Sequence, residues 1–418
     1  MVNSVVEYTA MRNTFSVGID IGTYQVKVVV AENAHQSNSL PKIIGLGYAE
    51  SKGLRHGYII NQHDAIRSIR KAVKQAEKSS GITIERAFIS IGGIGLGSYT
   101  GTGNIIISRA DAEITELDLE KVVEESTRLI PPAISMNRQV IHTIPIEYKI
   151  DGKAVFGDPV GMKGNKLEAK IMYINCLSHH VAELIEAVES AGIEIIDAVA
   201  APLAAGIANL SKTERIAGCV LVNIGAETVS MIVYEEDVPI SMEIFKVGSN
   251  DITNDIALGM QISLDEAEKT KRREDHYSIP ETAKKSPENK IKNIISSRLS
   301  DVFDLIDAQL KKIERSGLLP AGIILTGGGS GLTTVGDLAK ATLKLPSRIA
   351  SVISNGDDLK NVQTTGLKIK DSTWSVAYGL CVYGLSMDAE YPAGKSFSKL
   401  SFKRILGIIT NWFKKFLP

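Results

Sequence analysis

The sequence predicts an α/β protein of at least two domains, and three observations carry that reading. The first is a repeat. Residues Phe15 to Glu32, FSVGIDIGTYQVKVVVAE, and Cys219 to Glu236, CVLVNIGAETVSMIVYEE, align without a gap when Asp20-Ile21-Gly22 is set on Asn223-Ile224-Gly225. Each copy runs from an apolar stretch through a short carboxylate or amide and a glycine turn into a second, β-branched stretch, the pattern of two tightly joined strands. The second observation is Ile323 to Leu332, IILTGGGSGL, an apolar strand entering three consecutive glycines, with a helix to follow. Third, 418 residues exceed one ordinary core, at roughly 100 to 200 residues per domain.

A glycine turn of this kind aims successive backbone N–H groups into one concavity, where they can hold phosphate oxygens. Asp20 stands where it can hold a cation through water. Two such turns face to face clamp one polyphosphate, whereas a single one is indistinguishable from the hairpins of many sheets. The glycines of the third segment let a backbone approach a ligand closely.

In this order the three segments resemble the phosphate 1, phosphate 2 and adenosine motifs of the actin, sugar kinase and heat-shock chaperone ATPase superfamily. Within it the chain is similar to the FtsA family of bacterial cell-division proteins, over about residues 14 to 417. The resemblance implies an actin-like (ribonuclease H-like) two-domain α/β fold with an inserted 1C-type α+β subdomain and a C-terminal amphipathic helix. It implies ATP and Mg²⁺ in the cleft between the domains. The residues implied to hold nucleotide are Asp20, Gly22, Thr23, Tyr24 and Lys27 in the first hairpin and Asn223, Gly225, Ala226, Glu227 and Thr228 in the second. Glu268 and Lys271, and then Gly327, Gly328 and Gly329, complete the set, with Asp20 as the water-mediated anchor for Mg²⁺. Lys27 also reads as a solvated strand lysine, and no catalytic residue stands out.

Taken in order, Ile43 to Ala49 reads as a strand, and Gln62 to Lys78 as an amphipathic helix with Ile66, Ile69, Ala72 and Val73 on one face. From Glu85 a glycine-punctuated strand pair precedes a charged helix from Thr115 to Leu129. The segments HTIPIEYKIDG and DPVGMKGNKLEAK that follow resemble the closing strands of the FtsA insert. His142 among them is assigned no chemistry, since a lone histidine between strand residues is more often packed than reactive. Val181 to Ala191 reads as a helix, Ile193 to Ala200 as a strand, and Ala201 to Leu210 as a small-residue helix suited to a hinge. After the second hairpin come a strand from Val238 to Val247 and a helix from Asp251 to Met260. Glu268 and Lys271 stand one helical turn apart, so both can face one ligand or simply form a solvated face. Residues 274 to 290 read as a loop, and Ile291 to Ser316 as a long helix with one apolar face. A helix from near Thr333, a strand from Ser347 to Ala350 and a returning helix from Trp374 to Tyr383 complete the body. The expected division is domain 1A at 14–84, insert 1C at 85–168, 1A again at 169–200, 2A at 201–244, 2B at 245–315, 2A again at 316–370, the return helix at 371–387 and a linker at 388–400.

Composition narrows the class. A hydrophobic content of 44% with 23% charged residues is that of a soluble globular chain, and a net charge of -1 offers nucleic acid no general attraction. Cys176, Cys219 and Cys381 lack metal-ligand spacing and read as small buried hydrophobes of a reducing compartment. The N-terminus has no signal-peptide pattern and no run reaches about 18 apolar residues, so the expectation is a cytoplasmic protein that spans nothing.

Residues after Glu390 contain no acid and six bases. On a helical wheel over 401–417, Phe402, Ile405, Leu406, Ile409, Trp412, Phe413 and Phe416 fill one half, while Lys403, Arg404, Lys414 and Lys415 fall on the other. This is the pattern of a helix lying in a membrane interface, and the resembled family carries its membrane-targeting helix here. The alternative is a terminal helix docked on the body.

Function follows as implication. The resemblance implies an ATP-binding cell-division protein with weak or no ATPase activity that polymerises and tethers FtsZ filaments, through the FtsZ C-terminal tail, to the inner face of the cytoplasmic membrane at the division site. Membrane lipids, copies of itself and other division proteins are the implied partners. Two departures favour binding without brisk hydrolysis: the second turn carries Asn223 in place of the usual acid, and Ala226-Glu227 in place of two glycines. A pilus-assembly adaptor of the PilM type and a small-molecule kinase of the same fold are the alternatives.

Overall fold

A computed structural model describes residues 15–33, 40–273, 287–351 and 372–388. Strands β1 (Phe15–Ile21), β2 (Gln25–Glu32) and β3 (Lys42–Glu50) form an antiparallel meander. A small hairpin, β4 (Leu54–Arg55) and β5 (Tyr58–Ile59), leads to helix α1 (Gln62–Ser80). Asn61 caps α1 by accepting from the Asp64 N–H at 3.2 Å, and Gly81 ends it with φ +73. Its buried face of Ala65, Ile69, Ala72, Val73 and Ala76 lies against β3. Strand β6 (Arg86–Ile91) then enters the same sheet parallel to β1.

The chain next builds a separate antiparallel sheet from β7 (Leu96–Ile106), β8 (Arg138–Ile150), β9 (Lys153–Val155) and β10 (Lys166–Leu177), in the order β7-β10-β8-β9. Helix α2 (Glu116–Arg128) and the short α3 (Pro132–Ser135) lie between β7 and β8 in sequence. Leu119, Val122 and Val123 of α2 pack with Leu167, Ile171 and Tyr173 of β10 in a core of their own. Strand pairing confines this sheet to Leu96 through Leu177, whereas the sequence reading drew its limits at 85 and 168. The difference has a simple cause: β6 pairs with β1 in the first sheet, and all of β10 pairs with β7 and β8.

Helix α4 (Ser178–Ser190) returns the chain to the first sheet through β11 (Glu194–Ala200), parallel to β6. Helices α5 (Ala201–Asn209) and α6 (Lys212–Ala217) lead to the second main sheet. It comprises β12 (Cys219–Ile224), β13 (Val229–Glu235), β14 (Val238–Phe245), β15 (Gly322–Thr326) and β16 (Ser347–Ile349). Helices α7 (Ser249–Met260), α8 (Leu264–Arg273) and α9 (Pro287–Lys312) are inserted before β15, and α10 (Val335–Leu343) before β16. Helix α9 begins four residues earlier than the loop reading of 274–290 allowed, with Pro287 at its first position, where a missing N–H costs nothing.

The two main sheets share one topology. The first runs β11-β6-β1-β2-β3 and the second β16-β15-β12-β13-β14, so each hairpin has a parallel strand on one side and an antiparallel one on the other. The repeat read in the two hairpins therefore extends to five strands. Finally α11 (Ser375–Asp388) packs on α5 and on β1. An added Cβ at Gly379 would stand 1.8 Å from the Ala204 carbonyl oxygen, so glycine lets these two helices touch backbone to backbone where the halves meet.

The separate sheet is tied to both halves. His142 of β8 is buried and its Nε2 accepts from the Ala200 N–H at 3.0 Å, with burial lowering its pKa to about 4. Ser98 of β7 donates to the Met242 carbonyl at 2.7 Å and accepts from the Met242 N–H at 3.2 Å on β14. All three cysteines are buried and unpaired, and desolvation pushes the Cys176 and Cys219 thiols up to about 12. Among the described residues no helix is long and apolar enough to cross a membrane. The expected amphipathic helix, with Phe402, Ile405, Leu406, Ile409, Trp412, Phe413 and Phe416, lies outside the described residues.

Candidate functional site

The two hairpin turns are built alike. In the first, the Gly22 N–H donates to the Gln25 carbonyl at 3.2 Å, and in the second the Gly225 N–H donates to the Thr228 carbonyl at 2.9 Å. A Cβ at Gly22 would come 3.0 Å from that Gln25 oxygen, a tight approach, and at Gly225 2.8 Å from the Thr228 oxygen, too close for a larger residue. The residues between, Thr23-Tyr24 and Ala226-Glu227, have N–H groups outside the strand ladders. The second turn is braced from behind, because Ser249 and Asn250 at the start of α7 donate their N–H groups to the carbonyls of Gly225 and Ala226 at 2.9 and 2.8 Å. That also satisfies two of the N–H groups that a helix start leaves over.

Between the turns lies a cleft of about 560 Å³. It is lined by Asp20, Gly22, Thr23, Tyr24 and Lys27 from the first half, and by Asn223, Gly225, Ala226, Thr228, Glu268, Lys271, Gly327, Gly328 and Gly329 from the second. These are the residues singled out from the sequence, with one exception. The Glu227 side chain turns away across the cleft, where its Oε2 accepts from the His56 N–H at 2.5 Å.

Asp20 and Lys27 are cross-strand partners in the β1–β2 ladder, which explains their seven-residue spacing. Desolvation raises the Asp20 pKa, opposed by the Lys27 charge and by a 2.9 Å hydrogen bond from Ser90 Oγ. Such a carboxylate gains most from a cation in the cleft. Gly327, with φ +87, ends β15 hard against the second hairpin: a Cβ there would meet Asn223 Oδ1 at 2.1 Å and the Ile224 carbonyl at 2.6 Å. Behind the glycine loop, Thr326 Oγ1 donates to the Ser372 carbonyl at 2.9 Å, and Ser375 Oγ donates to Asn209 Oδ1 at 3.1 Å. This buried set joins the loop to α5 and α11.

On α8, Lys271 is buried and its Nζ reaches the Ser249 carbonyl at 3.0 Å, Thr253 Oγ1 at 2.7 Å and Glu268 at 2.7 Å. Desolvation pushes the Glu268 carboxyl up, but donation by Lys271, Thr253 and Arg272 outweighs it and brings the pKa down to about 2. The pair is thus a fixed, ionised wall of the cleft. Sequence reasoning missed Arg272, whose guanidinium donates to Tyr24 OH at 2.8 Å and lies 5.6 Å from that ring's centroid. It also missed Ser90 and His56, which carry no local pattern. For Arg272 the signal was its place four residues after Glu268.

Comparison with known proteins fits this geometry. The family model described as cell division protein FtsA matches residues 220–378, and that of the SHS2 domain inserted in FtsA matches residues 93–175. The cell division protein FtsA of Bacillus subtilis is 30% identical over 355 residues, covering 81% of this chain and 79% of that relative. The chain belongs to the FtsA family. The FtsA of Borreliella burgdorferi is 29% identical over 422 residues, covering 97% of this chain and 99% of that relative. The SHS2 match at 93–175 falls on the separate sheet and leaves β6 outside it, as strand pairing does.

Solved structures show the fold. A PilM–PilN type IV pilus biogenesis complex is similar with a TM-score of 0.65 at 18% identity, covering 90% of this chain and 99% of that one. MreB5 of Spiroplasma citri bound to ADP is similar with a TM-score of 0.53 at 12% identity, covering 92% of this chain and all of that one. The fold of this FtsA-family chain is actin-like, with an SHS2 insert.

Proposed function

We propose that this chain binds ATP with Mg²⁺ in its cleft and, as a member of the bacterial cell-division machinery, polymerises and links FtsZ filaments to the inner face of the cytoplasmic membrane. The observation that carries the reading is the pair of equivalent turns facing one cleft, with Asp20 and Lys27 on one wall and Glu268 and Lys271 on the other. The residues present fit the ligand. Lys27 and the Thr23 and Ala226 N–H groups suit phosphate oxygens, while the half-buried, desolvated Asp20 suits a hydrated divalent cation. The ionised Glu268 suits ribose hydroxyls, and the glycines at 327–329 suit close approach of a nucleoside. When bound, Mg²⁺ supplies charge neutralisation at the phosphates. Asn223 lacks the charge of a second carboxylate, which favours slow hydrolysis. Family membership favours this reading over a pilus adaptor, and the fold likeness to PilM is shared by both.

In this reading residues 245–315 receive the FtsZ tail, the SHS2 insert joins copies into filaments, and the tail at 401–417 reaches the lipid. The lysine and arginine face of that tail adds about 1 kcal/mol per base beside an anionic leaflet. The test is flotation of purified FtsZ with anionic vesicles in the presence of this protein. FtsZ floats with the parent protein and stays below with the Trp412→Glu, Phe413→Glu double variant. Flotation of FtsZ with that variant would refute the tether.

A further inference from the structure

Two contacts join the halves across the cleft, and neither is explained by nucleotide binding. In one, the Glu227 carboxylate, projecting from the second turn, accepts from the His56 N–H at 2.5 Å and stands 3.7 Å from His56 Nδ1. The Glu227 carbonyl also lies 3.3 Å from that ring nitrogen. In the other, Arg272 of α8 holds Tyr24 of the first turn through its hydroxyl at 2.8 Å. Both gripping side chains, Glu227 and Arg272, come from the second half, and they hold the first half at the His56 backbone and the Tyr24 hydroxyl.

Both ends of the Glu227 contact are anchored in the folded halves. His56 has φ +50, its carbonyl accepts from the Ile94 N–H at 3.2 Å, and the next residue, Gly57, donates to Thr23 Oγ1 at 3.1 Å. The His56 turn is therefore fixed to the first phosphate turn. Glu227 in its turn is fixed to α7 through the Ala226 carbonyl. The two halves cannot separate at the cleft without breaking a hydrogen bond to a carboxylate, and both side chains are only 23% exposed.

Resting on the reading of the cleft as a nucleotide site, we propose that Glu227 and His56 form a clasp that holds the two turns together before nucleotide binds, and that release of this clasp limits nucleotide exchange. Glu227 is a positioning residue: its backbone belongs to the phosphate-facing turn while its side chain sets the distance to the other half. Its engagement with His56 also directs its negative charge away from the phosphates, which resolves the conflict that an acid in this turn would otherwise create.

The test uses the full-length protein carrying Lys74→Cys and Lys340→Cys, two exposed positions on opposite halves, with spin labels on both. Without nucleotide, the parent shows one narrow distance distribution, Glu227→Gln keeps it because the amide oxygen still accepts from His56, and Glu227→Gly broadens it to longer distances. Dissociation of a fluorescent ATP analogue, followed by stopped flow, speeds up about ten- to hundred-fold in Glu227→Gly, the loss expected for one charged hydrogen bond. In Glu227→Gln, which keeps the hydrogen bond but loses its charge, the rate falls between those of the parent and Glu227→Gly. Identical distance distributions in parent and Glu227→Gly overturn the clasp, as does an unchanged dissociation rate. Should the analogue bind none of the three proteins, the nucleotide reading fails, while the distances still decide the clasp.

Discussion

Replacing Gly379 by alanine probes the contact where the two halves meet. Its added Cβ would stand 1.8 Å from the Ala204 carbonyl oxygen and 2.6 Å from the carbonyl carbon, against the 3.4 Å at which ordinary contact begins. The two helices must therefore part by about 1.6 Å, or one must slide, because a backbone oxygen cannot rotate aside as a side-chain tip can. Overpacking of this kind costs about 1 to 3 kcal/mol, and a backbone clash belongs at the upper end. Alanine recovers roughly 1 kcal/mol of helix propensity, so the net loss is about 2 kcal/mol. Gly259 in α7 is the control, since its Cβ would meet only the Cδ1 tip of Ile294 at 2.6 Å. Urea unfolding followed by circular dichroism compares the two. The first transition of Gly379→Ala moves to lower urea, while that of Gly259→Ala stays within about 0.5 kcal/mol of the parent. A Gly379→Ala midpoint equal to the parent's would show that α5 and α11 do not touch as described.

Three further expectations follow from named residues. The buried His142 stays neutral in the fold, with its pKa lowered to about 4 from 6.5. The unfolded chain takes up that proton below about pH 6.5 and the folded chain only near pH 4, so stability is full above this window and falls by up to about 3 kcal/mol as pH drops through it. Acid unfolding of His142→Gln, which cannot titrate, should have a flatter limb, and an identical limb would place the loss elsewhere. Lys271→Met removes the cation that fixes Glu268, so ATP affinity measured by calorimetry falls at least tenfold; unchanged affinity would remove the pair from the site. Deleting residues 93–177 keeps β6 in the first sheet and should leave ATP binding while abolishing polymers seen by electron microscopy. Normal filaments from the deletion would exclude the insert as a contact.

Much of the site was legible in the sequence because its parts are local. The spacing of Asp20 to Lys27 reports a ladder pair, and that of Glu268 to Lys271 reports one helical turn. Glycines at 22, 225 and 327 mark close approach wherever they fall. The cross-cleft partners were not legible, since His56 and Glu227 are 171 residues apart and only the assembled halves bring them together. Strand alternation shows that a segment is a strand but not which sheet it joins, so the sequence alone places β6 with the insert. The five-strand equivalence of the two main sheets was hidden for a related reason: only the hairpins kept a similar sequence, while β6 and β15 kept only their pairing.

Titration calorimetry of ATP into the full-length protein, with and without Mg²⁺, bears most directly on the cleft. A single site per chain is expected, strengthened by Mg²⁺ in the parent but not in Asp20→Asn, whose amide cannot anchor the hydrated cation, and weakened in Lys27→Ala. An absence of ATP binding in the parent, or binding that neither Asp20→Asn nor Lys27→Ala alters, would contradict the assignment of the cleft.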